Sequence, residues 1–103
     1  MIDSLKEIIE HEAESLWQGR GTDVKVLQDA ITKTIGIITA QCEEGFGEGI
    51  EFPMQYLLDA IHHYKEAIEK RDDYLLADCL YFEWREIIIV FMELCEELEK
   101  NCE

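Results

Sequence analysis

Three cysteines could bring sulfur ligands together at one end of the folded chain. Cys42, Cys95 and Cys102 fall near the ends of the second and fourth of four predicted helices, and in an antiparallel bundle those two ends meet at the same pole. Thiolates gathered there could hold zinc or copper, or form a functional disulfide. The alternative is that each cysteine is a small buried apolar residue. We predict no cofactor and keep a metal- or thiol-redox-linked bundle as the alternative function.

Histidines and carboxylates could also do chemistry, but their spacing completes no site. Asp59 precedes His62 at an interval similar to the Glu-x-x-His of di-iron bundles, yet no second helix carries a matching motif. Glu83 flanks an apolar helix face, where a carboxylate is costly unless a cation such as Lys65 or Arg71 pairs with it. We find no nucleophile beside a base, and we predict that the chain is not an enzyme.

Four helices must position these residues. Apolar residues recur every three or four positions over residues 5–17, 24–43 and 53–70, and from residue 73 to about residue 100. These residues form the predicted inner stripe of each helix, which includes Val24 in the second and Ile68 in the third. Helix-starting residues precede each segment: Ser4 with Glu7 as a capping box, Thr22 or Asp23, Pro53, and Asp72. The pattern predicts an all-α, antiparallel up-and-down four-helix bundle that forms one domain over residues 1–103.

The longest break, EEGFGEGIEF, contains three glycines, but it is not a phosphate-binding loop. No Gly-Lys-Ser/Thr follows the glycines, and the surrounding glutamates would repel a phosphate. We expect Phe46, Ile50 and Phe52 to fold back as a lid over one end of the bundle.

The charge of the chain limits its partners. It has 103 residues, 24 of them acidic and 9 basic, for a formal net charge of -15. This field repels phosphate backbones and anionic lipid, so we predict no nucleic-acid or membrane partner, and it attracts basic partners. The sequence starts without a signal-peptide pattern, which predicts a cytoplasmic protein with reduced cysteines.

The last helix carries more apolar surface than a bundle core needs. At 100° per residue, one broad face serves the core: Leu76, Leu80, Trp84, Ile87, Ile88, Phe91, Leu94, Cys95 and Leu98. Apolar residues remain on its other sides, and a helix that is apolar all round is normally buried all round. The remaining residues include Cys79 and Val90 and the five that we predict to contact a partner: Leu75, Tyr81, Phe82, Ile89 and Met92.

Three kinds of cover would suit this surface. The second helix and the glycine loop could wrap around it within one chain. A second copy could cover it, because Leu75, Phe82 and Ile89 recur every seven residues, the spacing of a helix–helix seam. A helix of another protein could instead dock there. We therefore predict a protein-binding module that is a homodimer or an adaptor, with self or another helical protein as its partner.

One stretch also carries a resemblance. Residues 57–84, LLDAIHHYKEAIEKRDDYLLADCLYFEW, resemble the helix–short turn–helix of small uncharacterised helical proteins from Gram-positive bacteria, which implies a bacterial origin and no known activity. The size, acidity and all-helical layout of the chain are similar to those of flagellar and secretion export chaperones. That similarity implies a chaperone-like role in which apolar helical surfaces clamp a subunit.

Overall fold

The chain folds into four helices. The computed structural model describes residues 2–101, and it contains α1 (Ile2–Trp17), α2 (Val24–Glu44), α3 (Met54–Lys70) and a C-terminal helix of three consecutive parts: α4 (Asp73–Cys79), a π turn (Leu80–Trp84) and α5 (Arg85–Asn101). The prediction of an all-α fold with four helices is confirmed; the up-and-down order of all four stays a prediction. Within residues 2–101, every helix is too short or too polar to cross a bilayer.

Short polar side chains start two of the helices as predicted. The Asp23 carboxylate accepts a hydrogen bond from the Val26 N–H at 3.3 Å, and the Asp72 carboxylate accepts one from the Leu75 N–H at 3.0 Å. Each bond satisfies a backbone donor that the first helical turn leaves free. The predicted capping box at Ser4 is wrong, because α1 has already begun at Ile2.

The C-terminal helix packs between α1 and α3, while α2 packs against α1. Side-chain contacts show that α1 and the C-terminal helix are antiparallel. Near the end of α1, the Trp17 Nε1–H donates to Asp78 at 3.3 Å, whereas nearer its start Glu10 accepts from Arg85 at 3.2 Å. The C-terminal helix therefore has one side against α1 and another against α3.

The core lies where these helices meet. The central residues of the predicted core face are all buried, and Trp84, Ile87 and Ile88 are almost completely enclosed. The lid over one end is also confirmed. Phe46 and Phe52 are buried, and their rings lie 5.9 and 6.3 Å from the ring of Phe91.

Two predicted core positions are exposed instead. Val24 of α2 and Ile68 of α3 belong to the predicted inner stripes, yet both side chains face solvent. They line a 220 Å³ depression between α2 and α3. The reason is that α2 packs against α1 rather than against α3, so these two helix ends leave a gap.

We predict that Phe46→Ala destabilises the fold, while Phe82→Ala does not. Phe46 is buried in the aromatic lid and Phe82 is 58% exposed, so the same truncation leaves a cavity only at the first site. We expect a loss of about 3–5 kcal/mol for Phe46→Ala and about 0.5 kcal/mol or less for Phe82→Ala. Urea unfolding followed by circular dichroism measures both. Equal losses would contradict the lid packing.

Candidate functional site

The five residues predicted to contact a partner lie in different environments. Phe82 is 58% exposed and Leu75 is 37% exposed. Ile89, Tyr81 and Met92 are all partly buried. Tyr81 and Met92 also pack against the core. The apolar surface that faces solvent on the C-terminal helix therefore centres on Phe82 and Leu75.

The π turn explains why the five residues do not share one row. Its backbone hydrogen bond runs from the Arg85 N–H to the Leu80 carbonyl, five residues back. A π turn holds about one residue more than an α turn. The side chains after it are therefore rotated about the helix axis by up to about 100° from their positions in a continuous α-helix. Ile89 comes one turn after Arg85, which pairs with Glu10 of α1, so Ile89 lies toward α1 and away from Leu75 and Phe82.

Leu75 and Phe82, seven residues apart on the C-terminal helix, line one side of a groove between that helix and α3. The groove has a volume of 380 Å³, and its floor includes the side chain of Cys79. Polar and charged side chains from both helices complete its lining: His63, Glu66, Lys70, Asp78 and Glu83. The site is an apolar trough with a charged rim.

The position of Cys79 corrects the sequence analysis. We predicted it among the residues outside the core, but its side chain is 2% exposed and its thiol donates to the Ala60 carbonyl at 3.8 Å. Ala60 is small, which lets the sulfur approach the backbone of α3. Burial, together with the nearby Glu83 carboxylate, raises the pKa of Cys79 to about 12. The thiol is therefore protonated at neutral pH and is not a nucleophile.

Ion pairs within the chain neutralise the basic side chains of the groove. The His63 Nδ1 lies 2.6 Å from a carboxylate oxygen of Glu83, and the Lys70 ammonium lies 2.6 Å from Glu66. The hydrogen bond to Glu83, reinforced by its negative charge, raises the pKa of His63 above its usual range. We had named Lys65 as a candidate partner for Glu83; the partner is His63.

An aromatic cluster supports the other side of Phe82. The ring of Trp17, at the end of α1, lies 5.2 Å from that of Tyr81 and 6.2 Å from that of Phe82. The Arg85 guanidinium stacks 4.8 Å over Tyr81 and also pairs with Glu10. These contacts fix Tyr81 between α1 and the C-terminal helix and leave Phe82 as the outermost ring.

A second depression continues the groove along the same pair of helices. The Tyr56 hydroxyl donates a long hydrogen bond of 3.4 Å to the Phe82 carbonyl. Tyr56 also borders a 160 Å³ depression. The other residues around that depression are Phe52, Pro53, Glu86, Ile87 and Val90. Apolar surface thus extends along the seam from Leu75 to Val90.

Cys42 and Cys95, the two cysteines of the alternative function within residues 2–101, do not form a metal site with other described residues. Cys42 and Cys95 are free and partly buried, and burial raises the pKa of both thiols, which disfavours the thiolate that a metal requires. Cys102 lies outside the described residues. Within residues 2–101 there is no group of three His, Cys, Asp or Glu side chains that could hold a metal ion.

Sequence reasoning missed several residues of this site. Tyr56, His63 and Trp17 were not predicted to be part of it, although all three contact residues of the C-terminal helix. A signal was present in α3, where Ala60 and Ala67 are small residues seven apart. Such a pair marks a close helix contact, and His63 lies one turn after Ala60 and hence near the same seam.

We predict that His63 titrates above the usual histidine range and that Glu83→Gln returns it to that range. Because the folded pKa is raised, the pair stabilises the fold fully below the unfolded pKa of about 6.5. That contribution is lost as the pH rises through the folded pKa of His63. NMR of the His63 ring against pH measures the midpoint. Equal midpoints in the wild type and in Glu83→Gln would show that the pair does not form in solution.

We also predict that Cys79 resists thiol reagents in the folded protein. A variant in which serine replaces Cys42, Cys95 and Cys102 leaves Cys79 as the remaining thiol. It should react with a disulfide reagent at pH 8 at least about a hundredfold more slowly than in urea, because the reactive thiolate is suppressed. Equal rates with and without urea would contradict the buried position.

Comparison with known proteins adds no assignment to this geometry. No protein-family model matches the chain. Neither the curated proteins nor the solved structures include a significant match. The function must therefore be inferred from the surface of the chain itself.

Proposed function

We propose that this chain is a non-enzymatic protein-binding module that presents the exposed face of its C-terminal helix to a helical partner. The partner is a second copy in a homodimer, or another protein in an adaptor or chaperone-like role. The observation that carries the proposal is the 58% exposure of Phe82, which lines a groove together with Leu75 of the same helix. The proposal places the chain in the bacterial cytoplasm.

The energy of covering this face supports a protein partner. Complete burial of a side chain such as Phe or Leu contributes about 1.5–3 kcal/mol, and Phe82 and Leu75 are already partly covered, so each would contribute less. Adjacent apolar residues, including Tyr56 and Val90 at the second depression, extend the area. The total free energy gained by burying these side chains has to exceed the free-energy cost of association. A contiguous apolar patch indicates an interaction site more strongly than scattered exposed apolar side chains do.

The charge supports the same class of partner. A net charge of -15 opposes nucleic acid and anionic lipid at every orientation of approach. The cysteine-based alternative has no comparable support, because burial raises the pKa of Cys42 and Cys95. Protein binding is therefore the function that the described residues favour.

We predict that a Leu75→Asp/Phe82→Asp double variant stays folded and loses the partner, because both exposed side chains line the groove. Size-exclusion chromatography with light scattering would show a dimer becoming a monomer if the partner is a second copy. For a different protein, affinity capture from the native cells should recover a band that the double variant loses.

Leu58→Asp/Val24→Asp is the matched control. Leu58 and Val24 are 51% and 54% exposed, the control adds the same two charges, and neither residue lines the groove. Unfolding of the Leu75→Asp/Phe82→Asp variant would place those residues in the core. A wild-type monomer at tens of micromolar, with no captured protein that distinguishes the two variants, would end the proposal.

A further inference from the structure

The rim of the groove carries a net negative charge that the chain itself does not neutralise. Its lining includes three carboxylates, those of Glu66, Asp78 and Glu83, against Lys70 and His63. Lys70 is held by Glu66 and His63 by Glu83. Asp78 accepts a hydrogen bond from the indole of Trp17, and no basic side chain of residues 2–101 forms an ion pair with it.

Acidic side chains follow the groove along its length. Glu86 borders the second depression, and the Gln55 amide donates to Asp59, one turn before His63 on α3. The seam from Leu75 to Val90 spans fifteen residues of the C-terminal helix, about 22 Å at 1.5 Å per residue. Two separate depressions lie along that length, the groove and the smaller depression beyond Tyr56, and together they match about four turns of an amphipathic helix.

A helix suits this trough better than an extended peptide. Residues 2–101 contain no β-strand, so there is no sheet edge to which a strand could add. The remaining common mode for an apolar groove between two helices is insertion of the apolar stripe of a third helix. Leu75 and Phe82 are seven residues apart, the interval at which a packed helix presents side chains on one face.

A second copy is a poor occupant on electrostatic grounds. The basic side chains that a copy would present from the same face are His63, Lys70 and Arg85, and each already pairs with a carboxylate of its own chain. Two copies would therefore bring two acidic rims together, and each chain has a formal charge of -15. Like charges placed together in an interface oppose association.

We infer that the occupant of the groove is a basic amphipathic helix of a different protein. Its apolar residues would lie against Leu75 and Phe82, and its lysines or arginines would flank them near Asp78. Glu83 and Glu86 already pair with His63 and Arg85 of the same chain. This inference rests on the proposed protein-binding function and names the chemistry of the partner.

Three designed peptides of about 18 residues test the inference against full-length protein. The first is a helix with leucines on one face and lysines or arginines beside them. The second keeps the leucines and replaces every basic residue with glutamate. The third has the composition of the first in a scrambled order without an apolar face. Fluorescence anisotropy measures the affinity of each peptide at about 50 and 300 mM salt.

We expect the first peptide to bind at least about tenfold more tightly than either of the others. Phe82→Asp should weaken it about tenfold or more, as for a central contact of an interface. Higher salt should weaken it further, because exposed charges are then screened. Leu75→Asp provides a second variant, and circular dichroism shows whether each variant is folded. Leu58→Asp, which adds the same charge about 200° around α3 from Tyr56, should leave binding unchanged.

The alternative outcomes separate this inference from the proposed function. If the acidic amphipathic peptide binds as tightly as the basic one and Phe82→Asp abolishes that binding, the inference of a basic partner is contradicted. The proposal of a helix-binding face is then retained. Equal binding of the scrambled basic peptide, unaffected by Phe82→Asp, would overturn the groove as its site. A wild-type dimer that Phe82→Asp dissociates would make the occupant a second copy. If no peptide binds, the protein is a monomer and no protein is captured in a Phe82-dependent way, both the basic partner and the proposed protein-binding function are contradicted.

Discussion

The C-terminal helix has to pack against two neighbours at once, and the rest of the structure depends on this constraint. Ile87, Ile88 and Trp84 fill the core, while Cys79 turns toward α3 and Arg85 toward α1. Two contact directions use most of the helix circumference. What remains outside is a narrow strip, and Phe82 lies on it between the groove on one side and the aromatic cluster on the other.

The chain's electrostatics follow from the same arrangement. Five of its nine lysines and arginines pair with acids of neighbouring turns or neighbouring helices, as in Lys6 with Glu10 and Lys70 with Glu66. Such pairs at an exposed surface contribute little stability. Their larger effect is on recognition, because they leave the excess carboxylates as the charge that an approaching molecule meets. The apolar strip thus lies in a surface with an excess of negative charge, and the partner that we propose would have to complement both properties.

Local patterns predicted the parts of the fold that depend on local physics. Asp23 and Asp72 cap their helices, and the glycine loop returns Phe46 and Phe52 to the core, because helix caps and apolar lids are encoded within a few residues. The π turn could not be predicted in this way. Leu80–Trp84 contains no glycine or proline, so its winding reflects the packing of both flanking segments.

The remaining errors follow from distant contacts. Cys79 was assigned outside the core because its contact with Ala60 depends on how closely α3 approaches. Val24 and Ile68 were assigned to inner stripes because helical periodicity identifies an apolar face but does not specify which helix covers it. The predicted contact surface was correspondingly broader than the strip that the structure exposes at Leu75 and Phe82.

The π turn at Leu80–Trp84 also determines how a change in chain length would act on the protein. A π turn is equivalent to an α-helix with one inserted residue, accommodated where it occurs. Deletion of one residue there would restore ordinary winding while Ile87, Ile88 and Phe91 keep their places inside the protein. The outward segment around Tyr81 and Phe82 would be remodelled almost alone. Variation in chain length at this point would thus alter the face that we propose binds a partner.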